Sequence, residues 1–214
     1  MNVAVLGTGM VGQAIASKLV SLGHPTTMGS RTPDHEGAHA WADAAGPLGS
    51  AGTFAEAASG AQLVFLAVAG QHALAVVEAA GAALEGKVLI DLTNPLDFSK
   101  GFPPRLSVLN DDSLGEQIQR AAPAAKVVKA FNTLANTLMV DPGALPEPTD
   151  TFVAGNDGEA KAKAVALIES FGHATPIDMG GIEASRGLEA WLLLWTRLYG
   201  VFGNADFNIK LVRA

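Results

Sequence analysis

The chain is a succession of short apolar runs, each followed by small, amphipathic or polar residues. Val3-Ala4-Val5-Leu6 opens it. Pro25 to Met28, Gly52-Thr53, Gln62 to Val68, Val88 to Leu92, Lys126 to Phe131, Thr151 to Ala154 and Ala174 to Asp178 follow. The runs at 62–68 and 88–92 are nearly continuous, as in strands covered on both faces of a parallel sheet. Between the runs the spacing predicts helices. They are Met10 to Leu22 with Gly23 as its stop, a short one around His39 to Ala44 ending at Gly46-Pro47, and one or two turns over Phe54 to Ser59. Further helices are expected at about His72 to Leu84 before Gly86, at Glu116 to Ala122, at about Glu159 to Phe171 behind a cap at Asn156 or Asp157, and over Glu183 to Phe202. Residues 96–113 read as an ordered loop and Asn132 to Asn136 as a polar tip. Asp141 to Thr149, with three prolines, reads as irregular.

This alternation predicts an α/β fold with a Rossmann-type doubly wound, mainly parallel sheet. Residues 1–180 are expected to form the dinucleotide domain. Residues 181–214 are expected to form a C-terminal helix and tail, completing an acceptor site or a homodimer contact. In such sheets ligands lie beyond the carboxyl ends of the strands. Those ends are Gly7-Thr8, Gly29 to Thr32, Ala67 to Gly70, Thr93 to Pro95 and Phe131 to Thr133.

The first end carries G-x-G-x-x-G, between a strand and a helix: Gly7-Thr8-Gly9-Met10-Val11-Gly12. Gly7 permits the tight turn, Gly9 lets the backbone come close to a pyrophosphate, and Gly12 lets helix pack on strand. The helix N-terminus presents free N–H groups to the phosphates. The second end distinguishes the two dinucleotides. An NAD site places an Asp or Glu there for the ribose hydroxyls. This chain has Ser30 and Arg31, with His35 on the next turn. A guanidinium clamps a 2′-phosphate that a carboxylate would repel, so the reading is NADP(H).

The remaining strand ends supply the nicotinamide side. Ala67 and Val68, with Ala69 and Gly70, leave room for a ring to lie flat. His72 sits in the first turn of its helix, and Asn94 and Phe131 close the cofactor side. Asn132 and Thr133 offer neutral donors and acceptors. Hydride transfer between stacked rings needs orientation and water exclusion rather than an acid or base, so no acid–base residue is assigned.

Composition narrows the partners. With 214 residues, 49% of them hydrophobic and 16% charged, the chain has ample material for a core. A net charge of −7 and no Lys/Arg run argue against nucleic acid. There is no cysteine, and no histidine has a metal-ligand spacing, so no metal is expected. No apolar run is long enough to span a bilayer, and the chain enters a strand at once. The expectation is a soluble cytoplasmic protein with no membrane partner. The Trp191, Leu192, Leu194, Trp195, Leu198 stripe reads as core or a dimer face.

Gly7 to Gly12, Gly29-Ser30-Arg31, Gln71-His72-Ala73 and Ser185-Arg186-x-x-Glu189 occur in order. Together they resemble the NADP oxidoreductases that use the deazaflavin coenzyme F420, over essentially the whole chain. The resemblance implies hydride transfer between NADP(H) and a flavin-like ring, with Ser185 joining Asn132 and Thr133 at the acceptor. The archaeal members carry a His-Thr pair where this chain has Asn132-Thr133. The Lys129-Ala130-Phe131-Asn132 segment is more similar to the NADPH-binding domain of the six-transmembrane ferric reductases, which pass hydride to FAD. Deazaflavin, flavin or another small oxidant therefore stay open as the small-molecule acceptor. Two other readings are an NADPH-dependent reductase of a small imine or keto substrate and a non-catalytic NADP(H)-binding redox sensor. The former class carries a larger helical C-terminal domain than the roughly 30 residues after the last strand here.

Overall fold

The computed structural model describes residues 1–212. Its strands are β1 (Val3–Leu6), β2 (Thr26–Ser30), β3 (Gly49–Thr53), β4 (Leu63–Leu66), β5 (Val88–Asp91), β6 (Leu96–Asp97), β7 (Arg105–Leu106), β8 (Lys126–Ala130), β9 (Phe152–Gly155) and β10 (Ile177–Asp178). Its helices are α1 (Met10–Ser21), α2 (Glu36–Ala45), α3 (Phe54–Gly60), α4 (Ala73–Ala80), α5 (Leu114–Ala121), α6 (Asn136–Val140), α7 (Gly158–Ser170) and α8 (Ser185–Phe202). Eight strands form one sheet in the order β10-β9-β8-β5-β4-β1-β2-β3. From β3 to β8 every neighbour is parallel, β8 and β9 are antiparallel, and β9 and β10 are parallel again. This is the expected Rossmann-type architecture.

The pleat sorts the strand residues to two covered faces. Val3, Val5, Phe65, Ile90 and Val128 pack with Ile15 and Leu19 of α1 and Leu167 and Ile168 of α7. Ala4, Leu6, Val64, Leu66, Leu89 and Val127 pack with α3, α4 and α5 through Ala57, Val77 and Ile118. Local chemistry sets the ends of the helices. Thr53 and Glu56 form a reciprocal capping box at α3, and Ser113 and Asp157 cap α5 and α7.

Several expectations are corrected. The helix expected over 72–84 is α4 flanked by tight turns at Gly70–His72 and Gly81–Leu84. Residues 96–113 are not all loop, because β6 and β7 pair as a hairpin too short to show a period. The expected polar tip is buried from Asn132 through Ala135 and leads into α6. Tertiary cover decides this, since α8 lies over it. The last strand is only Ile177–Asp178. The tail turns back beside the start of β9: Asp150 N–H donates to Ile209 O at 2.9 Å, and Asn208 Nδ2 reaches Thr149 Oγ1 at 2.8 Å. Phe207 packs on Trp195 and Phe202. Among the described residues, no helix is long and apolar enough to cross a membrane.

His173 lies under this edge. Its ring meets Phe131 edge-on, with centroids 5.5 Å apart, and Nε2 donates to Met139 O at 2.9 Å. Burial holds its pKa below the ordinary histidine value, and the Met139 carbonyl opposes the shift without reversing it. The folded protein therefore binds less proton here than the unfolded chain. The stability from neutral His173 is complete above about pH 6.5 and declines as pH falls through the depressed folded value. Urea titrations from about pH 7.5 to about pH 5 should show falling stability, with a shallower slope in His173→Gln. An unchanged slope in that variant would assign the pH dependence elsewhere.

Candidate dinucleotide site

At the carboxyl ends of β1, β2 and β4 the backbone builds a loop. Gly7 N–H donates to Gly29 O at 3.0 Å and Ala67 N–H to Leu6 O at 2.9 Å, so three strand ends are tied together. Gly7 has φ +133°, and a Cβ there would collide with the Ala67 carbonyl oxygen. Gly12 lies against the Gly7 carbonyl, which seats α1 on the loop. Gly9 differs: a Cβ there would meet nothing within 4 Å. The space above Gly9 is open to a ligand. The first helical bond of α1 is Gln13 N–H to Gly9 O, 2.9 Å. No side chain caps this end, and its first turn contains no acid. The N–H groups of Met10, Val11 and Gly12 thus face outward with the positive end of the helix.

Beside the loop is a groove of about 230 Å³ lined by Gly7, Thr8, Gly29, Ser30, Arg31, His35, Phe54, Val68, His72 and Val76. Arg31 is exposed and makes no ion pair with any described residue. His35 caps α2: its Nδ1 accepts from Ala38 N–H at 3.2 Å. That bond places the ring proton on Nε2, 3.5 Å from Thr8 Oγ1. Ser30 lies where expected but not as a free donor. It is buried, and its hydroxyl donates to Thr32 O at 2.6 Å. Phe54 and Val76 were not foreseen. Only the sheet order places the starts of α3 and α4 beside the first glycine loop, and an apolar residue at a helix start carries no signal of that.

Of the residues expected on the nicotinamide and acceptor side, Val68 and His72 line this groove, and the others lie outside it. Ala67 is buried behind the loop. His72 is exposed, its Nε2 lying 3.1 Å from Gln71 Nε2. Asn94 and Asn132 face each other: Asn94 Nδ2 donates to Asn132 O at 2.8 Å, and Asn132 Nδ2 donates to Asn94 Oδ1 at 2.9 Å. The second Asn132 amide proton goes to Leu188 O, 2.9 Å. Asn132 therefore has no donor left for a ligand, although Thr133 beside it shares the same strand end. The Phe131 side chain points into the core, stacked on Phe171 with centroids 5.8 Å apart, so its ring is not offered to a ligand. Ser185 is buried against Gly115 of α5, and its hydroxyl has no hydrogen-bond partner. It sits at a helix–helix contact rather than on an open acceptor surface.

Beneath the asparagine pair is an ionic cluster that the sequence reading overlooked. The Lys129 side chain is fully buried. Its Nζ lies 2.7 Å from Asp91 Oδ2, 2.7 Å from Glu189 Oε1 and 2.7 Å from Thr93 O. Asp91 Oδ1 accepts from Thr93 N–H and Oγ1, at 2.8 and 2.7 Å. The Glu189 carboxylate accepts from Leu114 and Gly115 N–H, both 2.9 Å, at the N-terminus of α5. Burial works against the ammonium, but Asp91 and Glu189 outweigh it and raise the Lys129 pKa above the ordinary lysine value. One signal was available: a lysine inside an otherwise apolar strand with both faces covered must find a carboxylate, and β5 ends in one.

The glycine loop, the uncapped helix end and the groove at the switch of strand order define a Rossmann-type protein. The family described as NADP oxidoreductase coenzyme F420-dependent matches residues 2–95. Over 200 residues the chain is 32% identical to the F420-dependent NADP reductase of Methanothermobacter marburgensis, covering 88% of each. It is 28% identical over 189 residues to Metalloreductase STEAP3 of Rattus norvegicus, covering 88% of this chain but only 36% of that protein's length. A crystal structure of a candidate F420-dependent NADP-reductase from Arthrobacter sp. FB24 superimposes with a TM-score of 0.95 at 47% identity, covering 100% of both chains. The chain belongs to the F420-dependent NADP reductase family, and is an NADP-linked oxidoreductase.

Gly9→Val would place a branched side chain in the open space over the loop without clashing with the protein. A folded variant with NADPH affinity reduced at least tenfold is expected, about 1.4 kcal/mol or more. Unchanged NADPH titration would remove the loop from the site. Arg31→Ala should weaken NADPH binding by about 1.5–3 kcal/mol, the range for a hydrogen bond to a charged group, and leave NADH nearly unaffected. Equal losses for both dinucleotides would show that Arg31 acts through the fold.

Proposed function

We propose that this protein transfers a hydride between NADP(H) and the deazaflavin coenzyme F420 across the carboxyl edge of its sheet. The observation that carries the reading is the pairing of an open, uncapped loop at Gly7–Gly12 with an exposed Arg31 at the end of β2 that meets no ion-pair partner among the described residues. A diphosphate and a 2′-phosphate are the groups that these two features complement. Relatives named for F420 and NADP over most of this chain support the deazaflavin as the second substrate.

In this reading residues 1–180 hold NADP(H). The N–H groups of Met10, Val11 and Gly12 take the diphosphate. Arg31 takes the 2′-phosphate, with Ser30 holding the Thr32 turn and His35 offering Nε2–H from beside Thr8. Phe54 and Val76 give the groove its apolar walls. Val68 and His72 lead toward the nicotinamide end, where Ala67, Asn94 and the Phe131 backbone close the floor. NADP(H), when bound, supplies or takes the hydride. The protein orients the two rings and keeps water from between them, and the one proton that accompanies the hydride onto the reduced deazaflavin is drawn from solvent at the ring edge. Of the expected 181–214 unit, the described residues 181–212 cover the acceptor side, where Asn132 and Thr133 lie under α8. The outward Leu194, Val201 and Phe202 of α8 mark the face for the expected two-fold contact.

The test supplies NADPH with coenzyme F420, FMN or FAD and follows NADPH absorbance and deazaflavin fluorescence. Rapid oxidation with F420, and at least tenfold slower turnover with FMN and FAD, is expected. Turnover with FAD or FMN alone would make a flavin the acceptor. Tight NADPH binding without turnover on any of the three would make the protein a binding module.

A further inference from the structure

At the floor of the acceptor side the contacts close on themselves. Lys129 Nζ meets Asp91 Oδ2 at 2.7 Å, and Asp91 Oδ1 holds Thr93 N–H at 2.8 Å. One peptide further on, Asn94 and Asn132 exchange amide hydrogen bonds of 2.8 and 2.9 Å. Asn132 Nδ2 reaches Leu188 O at 2.9 Å, and the next residue, Glu189, returns to Lys129 Nζ at 2.7 Å. This ring joins the ends of β5 and β8 to α8.

A second observation falls in the same segment. Phe131, between Lys129 and Asn132, has φ +59° although it is bulky and buried. A non-glycine residue stays in this sparsely populated region only where its surroundings over-determine it. Here Phe171 and His173 hold the ring of Phe131, and Lys129 and Asn132 anchor the backbone on either side. The turn that presents Asn132 is thus held from both ends.

We propose that Lys129 is a positioning residue for hydride transfer: through Asp91, Thr93 and Glu189 it fixes the Asn94–Asn132 pair against which the reacting rings are aligned. The inference rests on the proposed reading that those rings meet at this floor. The ammonium has three protons and three fixed acceptors, so it cannot turn without losing one. Asn132 has both amide protons engaged, which fixes which way its carboxamide faces. Half-buried Asn94 keeps one amide proton without a partner among the described residues. A pre-set donor of this kind matches the carbonyl of a carboxamide or of a flavin-type ring edge. Displacement of such a group by about 1 Å costs on the order of a hundredfold in rate.

The test uses the full chain. Lys129→Met alone leaves two buried carboxylates without a counter-charge and is expected to fold poorly. Glu189→Gln and the triple variant Lys129→Met/Asp91→Asn/Glu189→Gln keep the shapes and remove the excess charge. Three quantities are measured: NADPH affinity, single-turnover hydride transfer to F420 with NADPH deuterated at the transferred position, and side-chain amide hydrogen exchange of Asn132 by NMR. In both variants NADPH affinity should stay within about twofold, and hydride transfer should slow at least tenfold. The isotope effect should rise, and Asn132 should exchange at least tenfold faster. Leu84→Ala, a core truncation before β5 at the amino edge of the sheet, opposite the ring, controls for lost stability and should alter none of these. Unchanged transfer and exchange in folded variants, or equal losses in Leu84→Ala, would overturn the proposal. If the wild type passes hydride to no acceptor, the functional reading fails, and Asn132 exchange alone decides whether Lys129 positions the pair.

Discussion

A charged ammonium sits inside a sheet that is covered on both faces. At Lys129 the chain has no route to water, and an unpaired charge there would cost several kcal/mol. Much of the surrounding architecture answers that constraint. Asp91 stands directly opposite Lys129 in the β5–β8 register. Glu189 comes from the first turns of α8, nearly a hundred residues from Asp91. Its carboxylate also occupies the N-terminus of α5, where N–H groups need acceptors and the helix dipole favours an anion. Removing one partner from a buried pair costs about 3–5 kcal/mol. The last helix is therefore not an optional appendage to the sheet: its Glu189 completes a charge balance within it.

The two ends of the sheet's carboxyl edge follow opposite rules. On the β1–β2 side, groups that would normally find partners are left without them: the end of α1 is uncapped, and Arg31 meets no carboxylate among the described residues. On the β5–β8 side nearly every polar group is already engaged, down to both amide protons of Asn132. Open groups suit a mobile, highly charged ligand that brings its own counter-charges. Engaged groups suit a surface that must not move, which is what the proposed hydride exchange between two rings requires. Ser30 and His35 stand between these regimes. Each lines the groove while one of its polar atoms holds the local backbone, at Thr32 and at the start of α2.

The antiparallel β9 has a consequence for the same edge. Its first residues lie beside the last residues of β8, so the segment before it arrives at the carboxyl edge rather than the opposite one. The tail pairs with that segment through Asp150 and Thr149. Ile209 packs with Phe152 and Leu188. Residues 207–211 thus lie near the strand end that carries Asn132 and Thr133.

The parallel core and the glycine loop were legible in the sequence because their signals are local. Runs such as Leu63–Leu66 and Val88–Asp91 declare strands buried on both faces, and Gly7 and Gly12 mark places where a side chain would strike backbone. Arg31 in place of an acid is likewise a one-residue statement about charge. The β5–β8 side was not legible in this way. Asn132 and Ser185 are polar residues in plausible places, and only the position of α8 over the strand ends shows that one is braced and the other buried. Lys129, Asp91 and Glu189 are far apart in the chain, and a lysine inside an apolar strand signals the need for a carboxylate without saying which. Their meaning comes from sheet order and helix packing, which bring three charges into one dry volume. Local sequence sets where the backbone turns and which face is apolar. Which distant polar groups must satisfy one another is decided only when the fold removes the water between them.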